Sequence, residues 1–450
     1  MPDLPAVPVI SGRMLLPHLR RIQSDTLGFI MDTTRRSGDL VHFDLGGPQA
    51  FLVSRPSVIQ HVLQDNHRNY TKDTIQYNSL ATVTGRGLLT SDGDAWLRNR
   101  RLAQPAFARP RLAALDQVVV PAAAAMLERW EGALRQSAEL DVDREMMQVT
   151  LEVVGKALFG IDLSREAHAL TGAVLTCLDH IIYKARVLIT PPDFLPTPRN
   201  LRFRRALRAL DQAVFDLIDG RARAADPGDD LLGMLLKARD PQNGRPLDRQ
   251  QLRDEVITLL IAGHETVASA LTWSFYLLAG HPAAWDELHA EVQAVLGGRL
   301  PASADLPRLA FTGQVFDEAL RLYPPAWLIT RKAVAADEFD GARVPAGALV
   351  IISTYAVHRH ADFWPDAERF DPHRFAEGEE ERRPRFAYIP FGGGPRLCIG
   401  NHFALAEARL ILAMVAQRFR LSLMPDAAVF PDPLVTIRPR GGLPMRLSKA

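Results

Sequence analysis

Cys398 lies in a glycine-rich stretch, residues 391–400, directly before a segment whose apolar residues recur at helical spacing. A thiolate at the start of a helix faces backbone N–H groups and the positive end of the helix dipole, and both stabilise the anion. Glycines let the backbone approach a flat, bulky group closely, and Arg396 can pair with an acidic substituent of that group. A lone cysteine is otherwise most often a small buried apolar residue. The complete pattern indicates a haem-thiolate site.

Polar residues interrupt the most apolar long stretch of the chain, residues 256–278. Ala262 and Thr266 are four residues apart and share a helix face, and Gly263 leaves room for a small molecule against that face. Glu265 next to Thr266 places an acid beside a hydroxyl, which suits a short proton relay. The alternative is a polar kink in a core helix, with the Thr266 hydroxyl bonded to the carbonyl of Ala262.

Two further pairs have spacings that bring side chains together on a helix. Trp96 and Arg100 lie four residues apart, so an indole N–H and a guanidinium can bind one carboxylate. Without a cofactor, this would be an ordinary surface pair. Glu318 and Arg321 lie three apart and can form an ion pair, although this spacing alone occurs by chance in many proteins.

Taken together and in chain order, these motifs resemble those of the cytochrome P450 family. They are Trp96-x-x-x-Arg100, Ala262-Gly-x-x-Thr266, Glu318-x-x-Arg321 and Phe391-x-x-Gly-x-Arg-x-Cys-x-Gly400. The resemblance covers nearly the whole chain and implies the cytochrome P450 fold, a mainly α-helical triangular prism with a small β-rich part. We expect one catalytic domain over residues 1–450, with β-rich portions at about 38–55, 326–356 and 420–447. Haem b is expected between the central helix and the helix after Cys398.

The resemblance also implies a role for each motif residue. Cys398 is expected to be the axial ligand of the haem iron, and Phe391 to belong to the haem-binding loop. The residues expected to hold the haem propionates are Trp96, Arg100, Arg331 and Arg396. The residues expected to form the oxygen-activating segment of the central helix are Ala262, Gly263, Glu265 and Thr266, and within it Glu265, Thr266 and water are expected to deliver protons to bound oxygen. A structural triad of Glu318, Arg321 and Arg374 is expected to lock the loop that carries Cys398.

Part of the chain shows a closer resemblance, to thermophilic bacterial P450s that hydroxylate the β-ring of β-carotene. The stretches that carry it are residues 76–77 with 84–90, residues 262–275 and residues 321–327. This likeness implies that one oxygen atom from O2 enters a C–H bond of a long hydrophobic substrate, at the 3- or 2-position of the ring. A carotene is too long for an ordinary closed pocket, so we expect a channel open to the surface. Between residues 187 and 248 the chain is longer than expected for this group, which affects the roof of the pocket. The expected pocket residues are Gln76, Tyr77, Leu88, Ile261, Trp327, Leu328, Leu434 and Val435.

Other functions would use the same motifs. A long-chain fatty-acid hydroxylase would need a cation near the pocket entrance to hold a carboxylate. A peroxide-driven haem enzyme is disfavoured by Glu265 and Thr266, because family members that rely on peroxide commonly lack this acid–alcohol pair. A haem-thiolate sensor without turnover would not need the proton relay, so Thr266→Ala would leave its function intact.

The composition indicates which partners and which cell compartment suit this chemistry. The 450 residues carry 53 basic and 52 acidic side chains, and the net charge of +1 gives no indication of nucleic-acid binding. Cys177 and Cys398 are too few for a disulfide framework, which fits a reducing cytoplasm. The sequence has no flavin, nicotinamide or iron–sulfur motif, so we expect electrons from a separate ferredoxin and ferredoxin reductase. We expect a monomeric, cytoplasmic bacterial enzyme.

Two parts of the sequence indicate how the chain could relate to a membrane. Residues 1–10 are broken by three prolines and lack the charged and apolar regions of a signal peptide. Residues 256–278 carry His264, Glu265 and Thr266 near their centre, which a membrane span tolerates poorly, so we predict a buried helix. The Pro-rich segment near residue 195 and the arginines after it have two interpretations, a solvated face or contact with an anionic membrane surface.

The remaining patterns predict the elements around the site. They are a β-hairpin at 40–53, a helix at 56–64, an irregular loop at 73–90, mostly helix at 113–223, a short helix at 229–238 and a long helix at 248–280.

Overall fold

Helices form most of the computed structural model, which describes residues 7–136, 138–161, 167–186, 190–239, 244–425 and 427–450. Residues 1–6 of the N-terminal segment, and parts of the segment 187–248, lie outside the described residues. The helices are α1 (Gly12–Leu15), α2 (Leu19–Ser24), α3 (Thr26–Ser37), α4 (Pro56–Gln60), α5 (Ile75–Thr84), α6 (Gly93–Ala103), α7 (Arg109–Ala113), α8 (Asp116–Gln136), α9 (Val142–Phe159), α10 (Ala167–Arg186), α11 (Pro198–Ala222), α12 (Leu231–Lys237), α13 (Arg249–Gly280), α14 (Pro282–Leu296), α15 (Ala310–Leu322), α16 (Thr354–Val357) and α17 (Asn401–Arg418). The strands are β1 (Val9–Ser11), β2 (Leu40–Asp44), β3 (Gln49–Val53), β4 (Tyr70–Thr71), β5 (Glu139–Asp141), β6 (Ile329–Ala333), β7 (Asp337–Phe339), β8 (Ala342–Val344), β9 (Leu349–Ile352), β10 (Phe419–Leu423), β11 (Pro431–Pro433), β12 (Ile437–Pro439) and β13 (Pro444–Lys449).

Helix α13 forms the centre of the fold. Its first turn is capped by Asp248, whose carboxylate accepts the N–H of Gln251 at 2.8 Å, while the Gln251 side chain accepts the N–H of Asp248. Between residues 252 and 275 nearly every residue is buried. A helix that is largely apolar on all sides has to be enclosed by other elements, and α9, α11, α15 and α17 pack around it. The predicted helix at 248–280 is confirmed.

The hydropathy of α13 is that of a core helix. Among the described helices taken singly, α13 has the length and apolar composition needed to cross a membrane. However, 83% of its most apolar window is buried inside the protein. The polar residues near its centre therefore lie within the protein interior, where neighbouring elements can supply partners.

A six-stranded sheet lies beside the helices, with the strand order β1-β2-β3-β9-β6-β4. The predicted hairpin at 40–53 is confirmed, because β2 and β3 are antiparallel with Leu40 opposite Val53. Gly46, at φ +80°, turns the chain between them. β3 pairs in parallel with β9, and β9 pairs in antiparallel fashion with β6. This order places β6, which carries Thr330 and Arg331, between two neighbouring strands.

The C-terminal strands contact the helical core. β10, β13 and β5 form a sheet in the order β10-β13-β5, which joins the end of the chain to the residues before α9. β11 and β12 form a separate antiparallel hairpin. This hairpin lies against α13, since the carbonyl of Ile437 accepts the Ser269 hydroxyl at 2.6 Å and the Trp273 indole N–H at 2.8 Å. Residues 434–436 are thereby brought to the central helix.

The prediction of an irregular loop at 73–90 is wrong for its first half. Residues Ile75–Thr84 form α5, which ends at Gly85 with φ +67°. The sequence of α5 has little helical periodicity, so packing rather than pattern stabilises it. Its buried residues, among them Tyr77, Leu80 and Val83, face a core that includes α10 and α13.

The other predicted elements differ from the structure mainly at their ends. The helix predicted at 56–64 is α4, followed by a π-helical turn at His61–Asp65. The short helix predicted at 229–238 is α12, whose N-cap Asp230 accepts the N–H of Gly233 at 2.9 Å. In the described part of 113–223, α8, α9, α10 and α11 confirm the mostly helical prediction.

Candidate functional site

The loop before Cys398 is fixed by its own backbone. The N–H of Cys398 donates to the carbonyl of Phe391 at 3.0 Å, which closes the loop. Phe391 itself is partly buried against the main apolar core. Gly394 has φ +63°, and a Cβ at this position would overlap the carbonyl of Leu63. Only glycine therefore fits at position 394, where the close neighbour is the backbone of residues 63–64.

The thiol of Cys398 borders an internal space. Cys398 lies deep within the protein, yet its side chain is accessible. A residue that is both deep and accessible must face a cavity. Burial raises the pKa of the thiol, while the N–H of Gly400 and the positive charges of Arg100 and Lys72 act in the opposite direction. A metal ion at the sulfur would favour the thiolate.

One face of α13 also borders internal space. Between residues 252 and 275, the only residues that are half-buried rather than buried are Ala262, Gly263 and Thr266. Positions 262, 263 and 266 lie on one side of a helix. The Thr266 hydroxyl donates to the carbonyl of Ala262 at 2.7 Å, as expected for the core-helix alternative. The hydroxyl oxygen keeps lone pairs that can accept a hydrogen bond from water.

Two expectations about this segment need correction. A Cβ at Gly263 would lie 3.0 Å from a methyl carbon of Val154 in α9, so this glycine mainly permits close packing of two helices. Glu265 and Thr266 do not form a hydrogen bond in the described structure. Glu265 is buried and accepts the hydroxyl of Thr436 at 3.0 Å. Adjacent residues on a helix point about 100° apart, which is why these two side chains have different surroundings.

A cluster of cations lies near Cys398. The guanidinium of Arg396 stacks over the ring of Trp96 at 4.0 Å, forms an ion pair with Asp92 and donates to the carbonyl of Ser91 at 2.8 Å. Arg100 donates to the carbonyl of Leu397 at 2.8 Å. The structure therefore brings together the predicted residues of α6 and of the Cys398 loop.

Arg331 and Lys72 extend this cluster from the sheet side. Arg331 is buried and donates to the hydroxyl of Tyr77 at 3.3 Å. Lys72, which the sequence analysis missed, is 8% exposed, donates to the carbonyl of Leu89 at 2.8 Å and lies over the Tyr77 ring at 4.7 Å. Burial, followed by the charges of Arg331 and Arg396, holds the pKa of Lys72 well below its usual range. No periodic pattern in the sequence marks this lysine.

The charge balance of this cluster fits a dianionic group. The four cations are Lys72, Arg100, Arg331 and Arg396, and Asp92 is the acid that acts on two of them. Buried cations are costly unless they are paired. A porphyrin with two propionates would supply two negative charges near them, and the accessible thiol of Cys398 would supply the axial ligand. The residues present therefore fit haem.

Glu318 and Arg321 form a buried clamp. Both side chains are fully buried, and the guanidinium of Arg321 donates twice to the Glu318 carboxylate, at 2.6 and 2.8 Å. The same guanidinium donates to the carbonyls of His358, Ala367 and Arg369. Burial raises the pKa of Glu318, and Arg321 opposes that shift. The pair therefore ties α15 to residues 358–369.

The third member of the triad is further away, and another residue completes the link to the loop. Arg374 lies 3.6 Å from the Glu318 carboxylate, a distance for an ion pair without a hydrogen bond. His358, which the sequence analysis missed, accepts the N–H of Ile389 at 2.8 Å and donates to the carbonyl of Arg321 at 3.2 Å. Burial lowers the pKa of His358 to about 3, so the ring is neutral. Ile389 lies two residues before Phe391, so the clamp reaches the Cys398 loop.

The predicted pocket residues come from five separate segments, namely 76–77, 88, 261, 327–328 and 434–435. Gln76 donates to the carbonyl of Leu328 at 3.3 Å, and Trp327 donates to the carbonyl of Leu434 at 3.0 Å, so these segments meet. Half-buried side chains at this junction are those of Gln76, Trp327, Leu328, Leu434 and Val435. Ile261 and Leu88 are buried, and the N–H of Leu88 donates to Glu255 at 3.1 Å.

Tyr77 departs from its predicted place. Its hydroxyl meets Arg331 and its ring lies under Lys72, so it belongs to the cation cluster. Tyr77 was predicted as a pocket residue from the family resemblance of residues 76–77. On α5, adjacent side chains diverge, and the two residues contact different groups.

Comparison with known proteins agrees with this geometry. The family model described as Cytochrome P450 matches residues 5–441. The chain is 40% identical over 406 residues to cyclooctatin synthase of Streptomyces melanosporofaciens, covering 89% of this chain and 86% of that protein. It is 35% identical over 446 residues to pentalenene oxygenase of Streptomyces avermitilis, covering 98% and 96%.

The fold is also that of a solved structure. The crystal structure of the cytochrome P450DA heme domain matches with a TM-score of 0.88 and 26% sequence identity, covering 99% of this chain and 98% of that chain. The predicted fold class, mainly α with a small β-rich part, is confirmed. Together with the family match, these findings show that the chain belongs to the cytochrome P450 family of haem-thiolate monooxygenases.

Proposed function

We propose that this P450 monooxygenase hydroxylates a cyclic isoprenoid hydrocarbon, with Cys398 as the axial thiolate ligand of haem b. The observation that carries the proposal is the deep yet accessible thiol of Cys398, in a chain whose central helix exposes Ala262 and Thr266 to internal space. Thiolate-bound haem supplies the chemistry of oxygen activation, because the sulfur donates electron density that favours O–O cleavage.

The surrounding residues hold the cofactor from two sides. Arg100 and Arg396, with Trp96, would hold the haem propionates from α6 and the Cys398 loop, and Arg331 and Lys72 would hold them from β6 and the end of β4. Planar guanidinium groups bind carboxylates with good geometry. Because Arg100 also donates to the carbonyl of Leu397, propionate binding and the position of the Cys398 loop are coupled.

Thr266 and Glu265 move protons in this proposal. The Thr266 hydroxyl is oriented by its bond to Ala262, so its lone pairs can hold a water molecule beside the half-buried face of α13. Burial raises the pKa of Glu265 to about 7, with Arg438 acting in the opposite direction. A carboxyl group with this pKa can both release and take up a proton near neutral pH. Since the two side chains do not touch, water or a rotation of Glu265 has to connect them.

Apolar pocket walls favour a hydrocarbon substrate. The half-buried wall residues Leu328, Leu434 and Val435 carry no charge that could hold a carboxylate. Pentalenene oxygenase is named for the terpenoid pentalenene, and three stretches of this chain resemble β-carotene hydroxylases. Within the isoprenoid class we propose the β-ring of β-carotene, at the 3- or 2-position, as the specific target. A long polyene would require a channel that opens to the surface.

Electrons reach the site from outside the chain. P450s draw on redox partners, and we propose a ferredoxin with its reductase here. A groove lined by Arg101, Phe107 and Arg109 offers a basic surface for an acidic partner. The ring of Phe107 lies against Gly400, two residues from Cys398. A partner in this groove would therefore sit close to the thiolate side of the cofactor.

Turnover with a surrogate ferredoxin and reductase tests the proposal. β-Carotene in detergent, pentalenene and palmitate would be supplied separately, and products identified by mass and retention against standards. A hydroxylated carotene or terpene is the expected result. Oxidation of palmitate alone would move the substrate to fatty acids, and product formed only with hydrogen peroxide would support a peroxide-driven enzyme.

A further inference from the structure

Glu265 lies where three elements meet: helix α13, the β11–β12 hairpin and the start of α9. Thr436, between the two hairpin strands, donates its hydroxyl to Glu265 at 3.0 Å, and both residues are buried. Two residues later, Arg438 forms an ion pair with Asp143 of α9 through two nitrogens, one of them at 3.3 Å. A buried acid is thus surrounded by a hydroxyl, a cation and a second acid.

The hairpin is held rigidly against α13. The carbonyl of Ile437 accepts hydrogen bonds from Ser269 and Trp273. Residues 265, 269 and 273 recur every four positions, so Glu265 lies on the same side of the helix as these anchors. The hydroxyl of Thr436 therefore has little freedom to leave the Glu265 carboxyl.

The charged groups around Glu265 oppose one another. Burial raises the pKa of Glu265 to about 7, Arg438 and the Thr436 hydroxyl lower it, and Asp143 raises it. His264 precedes Glu265 on α13, and burial lowers its pKa to about 3, so its ring is neutral. Asp141, before α9, acts on Arg438. Small changes at the hairpin would shift the charge of Glu265 near neutral pH.

We propose that Thr436 is a positioning residue for proton delivery, and that it holds the Glu265 carboxyl between solvent and the oxygen site while the Arg438–Asp143 pair sets the surrounding charge. The inference rests on the proposed role of Glu265 as proton carrier. In the protonated state the Glu265 carboxylic acid gives its proton to a water molecule near Thr266 and becomes a carboxylate. That carboxylate accepts the Thr436 hydroxyl until a solvent proton neutralises it again.

Infrared difference titration of the full-length holoenzyme tests this. The carboxyl C=O band of Glu265 would be assigned as the band that is lost in Glu265→Gln. The intensity of this band would then be followed as a function of pH in three variants, Thr436→Val, Thr436→Ser and Asp143→Asn. Thr436→Val is expected to raise the apparent pKa by about one pH unit, because a hydrogen bond to the carboxylate is lost. Thr436→Ser is expected to titrate like the parent. Asp143→Asn is expected to lower the pKa, because a facing negative charge is removed.

Ser274→Ala is a matched control. It deletes a buried hydroxyl from the same helix, one that donates to Ala270 at 2.8 Å rather than to Glu265. The pH profile of product formed per O2 consumed should shift with the infrared titration in Thr436→Val and stay unchanged in Ser274→Ala.

Two results would overturn the inference, and they differ from a failure of the proposed function. An unshifted Glu265 titration in Thr436→Val, or the same shift in Thr436→Ser, would make Thr436 a packing residue only. Unchanged product per O2 in Glu265→Gln would instead remove Glu265 from proton delivery, and with it the proposal on which the inference rests.

Discussion

The two sides of the site are held in different ways. On the Cys398 side, the buried Glu318–Arg321 pair and His358 connect three chain segments through charged and backbone hydrogen bonds. On the substrate side, single hydrogen bonds such as Gln76 to Leu328 and Trp327 to Leu434 join half-buried segments. The first region has one well-determined geometry. The second region presents apolar side chains that can be substituted with little loss of folding free energy.

The difference separates reaction chemistry from substrate choice. Breaking a buried ion pair by removing one partner costs about 3–5 kcal/mol, whereas changes at half-buried positions usually cost about 1 kcal/mol. Family members can therefore share a thiolate loop and a clamp while their pocket walls diverge. The predictions below test this contrast, beginning with the largest expected effect.

Cys398→Ser should abolish turnover, because the proposed thiolate ligand is lost. Cys177→Ala is the matched control, since Cys177 is buried in the core and burial raises the pKa of its thiol to about 12. Product formation with a surrogate redox system would be measured for both variants. Turnover by Cys398→Ser at the parent rate would remove Cys398 from the reaction.

Glu318→Gln should lower the free energy of unfolding by about 3–5 kcal/mol, because the Arg321 guanidinium is left buried and unpaired. Arg374→Lys should cost less than about 1 kcal/mol, since Arg374 lies 3.6 Å from the Glu318 carboxylate without a hydrogen bond to it and donates instead to the carbonyl of Asp366. Chemical denaturation of the holoenzyme measures both. Equal costs would show that the clamp is a true triad.

Thr266→Ala should lower product formed per O2 consumed about tenfold or more, because the water-holding hydroxyl is lost. Thr266→Ser should retain most of the coupling, since a serine hydroxyl can also bond to the Ala262 carbonyl. Oxygen uptake and product would be measured together. Parent-like coupling in Thr266→Ala would contradict the role of the Thr266 hydroxyl in the relay.

Lys72→Met should weaken haem retention about 10- to 150-fold, because a charge-assisted hydrogen bond contributes about 1.5–3 kcal/mol. Lys72→Arg keeps the charge and should retain more haem. Transfer of haem to an acceptor protein measures the difference. Equal retention in Lys72→Met and the parent would remove Lys72 from the propionate site.

Leu434→Ala should change the ratio of hydroxylated products a few-fold and the unfolding free energy by less than about 1 kcal/mol. The half-buried position limits the packing loss, while the wall next to Trp327 becomes wider. The product ratio, measured by chromatography, and the free energy of unfolding, measured by chemical denaturation, are each compared with the parent values. A large stability loss with an unchanged product ratio would place Leu434 in the core.

Sequence patterns predicted best where contacts are local. The Glu318–Arg321 pair, the Trp96–Arg100 face and the loop before Cys398 depend on residues a few positions apart, so local spacing together with the family resemblance was enough to predict them. Ala262 and Thr266 were predicted on one helix face for the same reason, and the structure shows them half-buried together.

The missed and incorrect predictions concern contacts between distant segments. Lys72, His358 and Thr436 join the site from other elements, and no local period marks them. Glu265 was expected beside Thr266, but its partner Thr436 lies 171 positions further along the chain. Tyr77 was predicted as a pocket residue from the family resemblance, whereas in the fold its hydroxyl accepts a hydrogen bond from Arg331.

Iron K-edge X-ray absorption of the holoenzyme tests the central claim most directly. The parent protein should show one sulfur ligand to iron, and Cys398→Ser should lose it while Cys177→Ala keeps it. A parent spectrum with only nitrogen or oxygen ligands, or a sulfur ligand that persists in Cys398→Ser, would contradict the assignment of Cys398 as the thiolate of the haem site.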